Sequence, residues 1–337
     1  MSNPAKQTRA PIPHLGRRVL WGVVVPVTVT GAAFALVRSW LPRLPDEVAL
    51  HWGPGGVNRY GSVAELLWPL RGFAVTGVVV LALFTLITGR TSFIRRTVLG
   101  TAAGLSVFQA GIFVVVIVTQ LDLEPGGTPA SIDLGMLIAL GVGLSAAALA
   151  LATAGKDPRM PASGEVSGAQ AELRPGERAV WIRRVSPGPK VLLWGALAAA
   201  AYTALMAFTA WISGMWFTLV LALLPVLLVA TMLVWQVRID SGGLTARSSL
   251  GWPRLHIPAD EVEGSKVRQV EHPIGEFGGW GIRASVMDLS GTVGVIIRKG
   301  EALEVLRTGD RRTVITVDDA ATASALLNAK AQRSRTP

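Results

Sequence analysis

Residues 41–62, LPRLPDEVALHWGPGGVNRYGS, are the longest polar interruption in the first half of the chain, and apolar runs of membrane-spanning length flank them on both sides. The run before them, 19–40, reads VLWGVVVPVTVTGAAFALVRSW; the run after them covers 66–88. Crossing about 30 Å of hydrocarbon takes roughly 20 apolar residues. Six stretches approach or exceed that length: 19–40, 66–88, 98–120, 134–154, 191–213 and 216–237. None of them contains an acidic residue. Trp21, Trp40, Trp68, Trp194, Trp211, Trp216 and Trp235 stand near span ends, as in the aromatic belts of membrane interfaces. The expected fold class is therefore a membrane α-helical protein with six transmembrane helices.

Composition agrees with a bilayer as solvent. Of 337 residues 50% are hydrophobic and only 16% charged, against about a quarter charged in soluble domains. The absence of cysteine excludes disulfide scaffolds, cysteine metal sites and thiol nucleophiles. The net charge of +10 gains meaning from its position. Arg90, Arg95 and Arg96 fall between spans two and three, and seven further Lys and Arg between spans four and five, whereas 122–133 holds neither. Basic loops stay on the cytoplasmic side. Both termini are thus expected in the cytoplasm, residues 41–65 outside, and the chain in the plasma membrane. Residues 1–18 read as a disordered cytoplasmic lead. A cleaved signal peptide is the rival, but the apolar run that follows is too long and lacks a small-residue cleavage site.

The remaining organisation follows from changes in character. Residues 155–190 are rich in Gly, Pro, Ser and charge and read as a cytoplasmic linker, dividing 19–154 from the span pair 191–237. From 238 to 332, short β-branched runs alternate with turn residues. The expected strands are 234–239, 244–248, 255–257, 262–270, 293–297, 304–306 and 313–317. A final helix has Asp318 as expected N-cap and Ala323, Leu326, Leu327 and Ala331 on its apolar face. Strands followed by one amphipathic helix suggest a small, partly open β-barrel plugged by that helix, with 333–337 as a disordered tail.

Candidate binding residues lie in 41–62. Pro42, Pro45 and Pro54 stiffen the segment, and Gly53, Gly55, Gly56 and Gly61 permit positive φ or close backbone approach. Among them stand His51, Trp52, Gly56, Asn58, Arg59 and Tyr60. Two readings stand side by side: an ordered cap in which these groups satisfy the backbone, and a ligand-binding surface. Asp46 and Glu47 near His51 add a weak metal alternative. No nucleophile elbow or zinc-protease spacing occurs, and no enzyme or cofactor is expected. From residue 238 on, 14 Lys and Arg face 12 Asp and Glu, which argues against nucleic acid as a partner.

Leu44, Pro45, Asp46, His51, Trp52, Gly56, Asn58, Tyr60, Gly61 and Ser62, between two spans, resemble the DUF1648 domain of SdpI-like bacterial immunity and signalling membrane proteins. The resemblance covers the first span and the loop. It implies an outer-face determinant that meets a secreted peptide. Family members usually carry Ile-Pro-Thr where this chain has Val48-Ala49-Leu50, and Asp where it has Asn58; the missing carboxylate weakens a cation-binding role. The segments 239–244, 256–262, 298–303 and 315–320 resemble bacterial pleckstrin-homology-like domains. That resemblance implies a module binding a cytoplasmic protein or a lipid headgroup.

The expected function is thus non-enzymatic recognition of an extracellular peptide or envelope component; a secondary transporter and a purely structural membrane protein are the alternatives. Acid-free spans count against transport. Three smaller features have structural expectations: Gly100-x-x-x-Gly104 as a helix-packing face, within the chain or in a dimer, Gln109 in an interhelical hydrogen bond, and 275–281 as a flexible loop.

Overall fold

Long apolar runs and short alternating ones separate in space as they do along the chain. The computed structural model describes residues 12–53, 56–124, 127–174, 176–289 and 291–335. Helix α1 (Leu15–Val19) passes through one π turn, Leu20–Val24, into α2 (Val25–Trp40), with Pro26 in the first turn of α2. Then follow α3 (Val63–Ile87), α4 (Ser92–Val118), α5 (Asp133–Thr153), α6 (Pro189–Ser213) and α7 (Phe217–Leu233). Among the described residues five helices, counting α1 to α2 as one, are long and apolar enough to cross a membrane; α7 has 17 residues and falls short. Their outer faces expose large apolar side chains, including Trp68, Phe73, Val191 and Trp194, on a scale that water does not tolerate.

The first helix begins earlier than expected, at Leu15 instead of residue 19. The reason is Arg18, which is buried and donates from Nε (2.9 Å) and Nη2 (2.8 Å) to the Thr85 carbonyl and also to that of Leu86. A guanidinium set against the carbonyl end of α3 satisfies groups that the helix itself leaves open. The other part of the expected lead, 1–11, lies outside the described residues.

Helices α4 and α5 pack most closely. A Cβ on Gly104 would lie 2.7 Å from Ala147 Cβ and 3.0 Å from the Gly143 carbonyl, and one on Gly143 would lie 2.9 Å from the Gly104 carbonyl. The small-residue face 100–104 therefore meets α5 of the same chain, not a second copy. Gln109 is buried and faces Gly77 of α3.

The β-rich region consists of two open sheets, not a closed barrel. Strands β3 (Trp181–Val185), β4 (Trp235–Asp240), β5 (Gly243–Ser248) and β6 (Arg254–Pro258) form one antiparallel sheet in chain order. Strands β7 (Val262–Val270), β8 (Gly281–Ala284), β9 (Thr292–Ile296), β10 (Gly300–Arg307) and β11 (Arg311–Thr316) form the other, in the order β7-β10-β11-β9-β8, with β11 and β9 parallel. Alternation drives β4: Trp235, Val237 and Ile239 are fully buried while Gln236 and Arg238 are exposed. The expected strands recur within a few residues, and the stretch read as a flexible loop holds α8 (Pro273–Phe277) and the start of β8.

Helix α9 (Ala320–Arg333) packs over both sheets, burying Ala323, Leu326, Leu327 and Ala331. Its N-cap is Asp319, not Asp318: Asp319 adopts φ 62° and accepts from the Thr322 hydroxyl at 2.6 Å, which holds its carboxyl below the usual range. Much of 155–190, expected as a linker, packs into this unit, and Pro189–Lys190 already belong to α6. The segment supplies β3 and buried Val166 and Trp181, and the Ala169 carbonyl accepts from Asn328 Nδ2 of α9 at 2.9 Å. Of the expected loose tail, Arg333 closes α9 and donates to the Leu173 carbonyl at 2.7 Å, while 336–337 lie outside the described residues.

A chain of buried charges joins the two regions. Arg95 of α4 is 1% exposed and donates to the carbonyls of Gly89 (2.9 Å), Ala154 (3.1 Å) and Gly155 (3.0 Å), and to Asp157 at 3.3 Å. Asp157 pairs with Arg311 at 3.7 Å, Arg311 with Glu261 at 3.2 Å, and Glu261 with Arg307 at 2.8 Å. Burial lowers the Arg311 pKa from its ordinary value, opposed by Glu261 and Asp157. Ile94 of α4 continues the junction by packing into the core of the β-rich unit.

Two stability predictions follow from these contacts. Gly104→Leu forces α4 from α5 and should destabilise by about 1–3 kcal/mol as overpacking does, whereas Gly141→Leu, with open space at that Cβ, should leave the melting temperature of detergent-solubilised protein nearly unchanged. Glu261→Gln removes the one carboxylate charge shared by two buried guanidinium groups and should cost about 3–5 kcal/mol, read as a lowered cooperative unfolding temperature; a wild-type melt would show that the network is not a structural tie.

Candidate functional site

The polar stretch of the opening folds as a β-hairpin. After a 3₁₀ turn, Leu41–Arg43, strand β1 runs Glu47–Gly53 and its antiparallel mate β2 runs Gly56–Ser62. Pro54 and Gly55 between them lie outside the described residues. The register is Ala49 opposite Tyr60, His51 opposite Arg59 and Trp52 opposite Val57. Leu50 is therefore an extra residue on the first strand and Asn58 an extra residue on the second, a pair of bulges that cancel within one turn of the ladder.

One buried amide fixes the hairpin to the helices. Gln120, fully buried just past α4, accepts from the Ala49 N–H at 2.6 Å. Its Nε2 donates to the Val116 carbonyl at 2.9 Å and to that of Ala49 at 3.4 Å. Val48 and Ala49 are fully buried, and Leu44, Leu50 and Trp52 pack on a cluster formed by Val37, Leu66, Phe113 and Val116. A second tie joins the same end: Arg43 donates to Asp122 from Nε at 3.1 Å and from Nη2, and this hydrogen-bonded ion pair lowers the Asp122 pKa. Ser62 caps α3 by accepting from the Glu65 N–H at 3.2 Å.

The glycines have local reasons. A Cβ on Gly53 would meet Asn58 Nδ2 at 2.1 Å, and one on Gly61 would meet Leu50 Cδ1 at 2.5 Å. Gly56 adopts φ +117° with open space around it, so its contribution is backbone geometry at the turn.

The six expected site residues divide. Trp52 lies partly under the hairpin as a packing group, and its indole N–H is buried without an acceptor among the described residues. His51, Asn58, Arg59 and Tyr60 are exposed. His51 Nδ1 stands 2.7 Å from Asn58 Oδ1, a contact in which the ring donates. Arg59 approaches Glu65 at 3.6 Å in an exposed pair, which contributes little to stability. Asp46, Glu47 and His51 do not assemble a metal site, and no group of three or more His, Asp or Glu fit for a metal occurs among the described residues. The arrangement offers a donor–acceptor pair, a cation and a phenol on a stiff support. That suits recognition.

Gln120 was not legible as a site residue. It sits at the end of an apolar run, and the signal available was a primary amide where the hydrocarbon ends. Comparison with protein-family models, with curated proteins and with solved structures finds no match. The class therefore rests on what the chain itself displays: apolar helices of membrane-crossing length joined to a separate β-rich unit.

Gln120→Leu removes the amide while keeping similar volume and leaves the Ala49 N–H buried and unpaired, a loss of about 1–3 kcal/mol. Amide exchange across 47–62 should accelerate well before the β-rich unit is affected. Unchanged protection in the hairpin would mean that side-chain packing alone holds it.

Proposed function

We propose that the chain is a non-enzymatic integral protein of the bacterial plasma membrane whose hairpin faces outward and recognises an extracellular peptide or an envelope component. The observation that carries this reading is the combination of a hairpin pinned by Gln120 and a polar face, His51, Asn58, Arg59 and Tyr60, left open. Rigid support with exposed polar groups lowers the ordering cost of binding. Among the described residues strand β2 pairs with β1 alone, which leaves its other edge for main-chain pairing with an extended peptide.

In this reading α7 is the sixth span. Its first N–H, at Phe217, donates to Asp133 at 3.4 Å at the hairpin end, and its last turn leads directly into buried Trp235 of β4 at the other end. At 1.5 Å per residue its 17 residues cover about 25 Å. The resemblances in the loop and tail motifs support the same assignment, with the β-rich unit as a cytoplasmic pleckstrin-homology-like module. Its attachment beside the basic ends of α1 and α4 agrees with the charge rule: His14 Nε2 contacts the Lys156 carbonyl at 2.8 Å on that side.

Because the sequence has no cysteine, topology can be read directly. Ala64→Cys and Ser334→Cys place single exposed thiols at the two ends. In intact cells a membrane-impermeant maleimide should label the first and not the second; the reverse pattern would end the outward-hairpin reading. His51→Ala and Tyr60→Ala, at exposed positions, should leave the melting temperature within about 0.5 kcal/mol equivalent of wild type. A large loss in both would instead make these groups part of a structural cap.

A further inference from the structure

We infer that the cleft between the start of α4 and the β5–β6 edge binds the phosphorylated headgroup of an anionic lipid. This deepens the cytoplasmic-module reading proposed above and is independent of what the hairpin binds.

The cleft has a volume of about 880 Å³, within the range of about 300–1,000 Å³ usual for ligand sites. Five cationic side chains line it against three carboxylates. The carboxylates already have partners: Asp157 pairs with Arg95, Asp260 with Arg159 at 2.9 Å, and Glu261 with Arg307. Arg96, Lys156 and Arg254 have no ion-pair partner among the described residues, so the charge left over is positive. Two guanidinium nitrogens at the cleft, Arg96 Nε and Arg307 Nε, are buried and without a hydrogen-bond acceptor among the described residues. Arg307 is 5% exposed. Buried donors without acceptors are costly, and a phosphate oxygen is the acceptor that guanidinium groups match best. Ser92, in the first turn of α4, also lines the cleft and adds the positive end of a 27-residue helix.

The rim indicates a lipid as the bearer of that phosphate. The turn between β5 and β6 is tied to the end of α7, where the Ser249 N–H donates to the Val234 carbonyl at 2.9 Å. From this turn Leu250 (68% exposed) and Trp252 (59% exposed) project. In the proposed orientation they stand at the membrane surface, where tryptophan is favoured. Trp252 also lines a smaller adjoining cavity of about 120 Å³, shared with Arg96, Arg254 and Leu151 of α5. The cationic cleft thus borders a cavity that Trp252, Phe93 and Leu151 share with the same arginines. His256 lies in the same lining with Nδ1 2.9 Å from the Thr245 hydroxyl; desolvation, followed by the Arg254 charge, lowers its pKa.

The test uses the full-length protein in a neutral detergent, titrated with dioctanoyl phosphatidic acid, dioctanoyl phosphatidylcholine and sn-glycerol 3-phosphate and followed by native mass spectrometry. One phosphatidic acid should be retained, at least tenfold more tightly than phosphatidylcholine or glycerol 3-phosphate. Arg96→Gln and Arg254→Gln should each weaken it about tenfold, with Lys156→Gln as an exposed variant that keeps the fold if Arg96→Gln does not. Glycerol 3-phosphate binding as tightly as the lipid would overturn the lipid assignment in favour of a soluble phosphate. Equal affinity for phosphatidylcholine, or folded variants that bind like wild type, would overturn the site. Maleimide labelling of the hairpin end is unaffected by any of these results, so the two readings fail separately.

Discussion

The buried charge chain Arg95–Asp157–Arg311–Glu261–Arg307 is the constraint on which the arrangement of the two regions depends. Each member would be intolerable alone in a low-dielectric junction, and each is compensated by the next. Arg95 also takes up carbonyls at Gly89, Ala154 and Gly155, so the ends of α3 and α5 are fixed by the same side chain. The consequence is orientation. A β-rich unit on a free tether could face the helices in many ways; here ionic partners and Ile94 select one. Arg18 acts on a neighbouring element by the same chemistry, a cation against the carbonyl end of α3.

At the opposite end a neutral amide does the corresponding task. Gln120 addresses both main-chain groups of Ala49, which is how one side chain can hold a strand in the absence of a larger sheet. An isolated two-stranded hairpin is marginal in water. The apolar face of Val48, Leu50 and Trp52 and the Arg43–Asp122 tie supply what the hairpin lacks. The two ends therefore differ in character: fixed by ions beside the β-rich unit, fixed by packing and one amide beneath the hairpin.

Much of this was legible. Apolar length locates most helix ends to within a few residues, though α4 starts earlier, at Ser92, and the β-branched runs locate every strand of the two sheets except β3 and β8, because both signals depend on local periodicity. What was not legible depends on partners distant in sequence. Residues 155–190 look unstructured by composition, yet Val166 and Trp181 enter a core built mainly from 235–331. Arg95 reads as one basic residue among three until Asp157 is placed beside it. In the hairpin the glycines announced an unusual backbone, but Gly53 and Gly61 clear space for Asn58 and Leu50 instead of for a ligand. His51 and Asn58 were singled out for their chemistry; their hydrogen bond across the strands depends on a register that no local pattern specifies.

That register carries a consequence for how the segment can change over time. Leu50 and Asn58 each insert one residue, on opposite strands, and the ladder returns to its former pairing beyond them. Loss of either residue alone would shift the remaining pairs by one, and loss of Leu50 would also turn Trp52 to the face opposite Val48, since side chains alternate between faces. Loss of both would restore the pairing with a shorter hairpin. Length is therefore coupled across the two strands: a single deletion at either bulge leaves the extra residue of the other strand without its compensating shift.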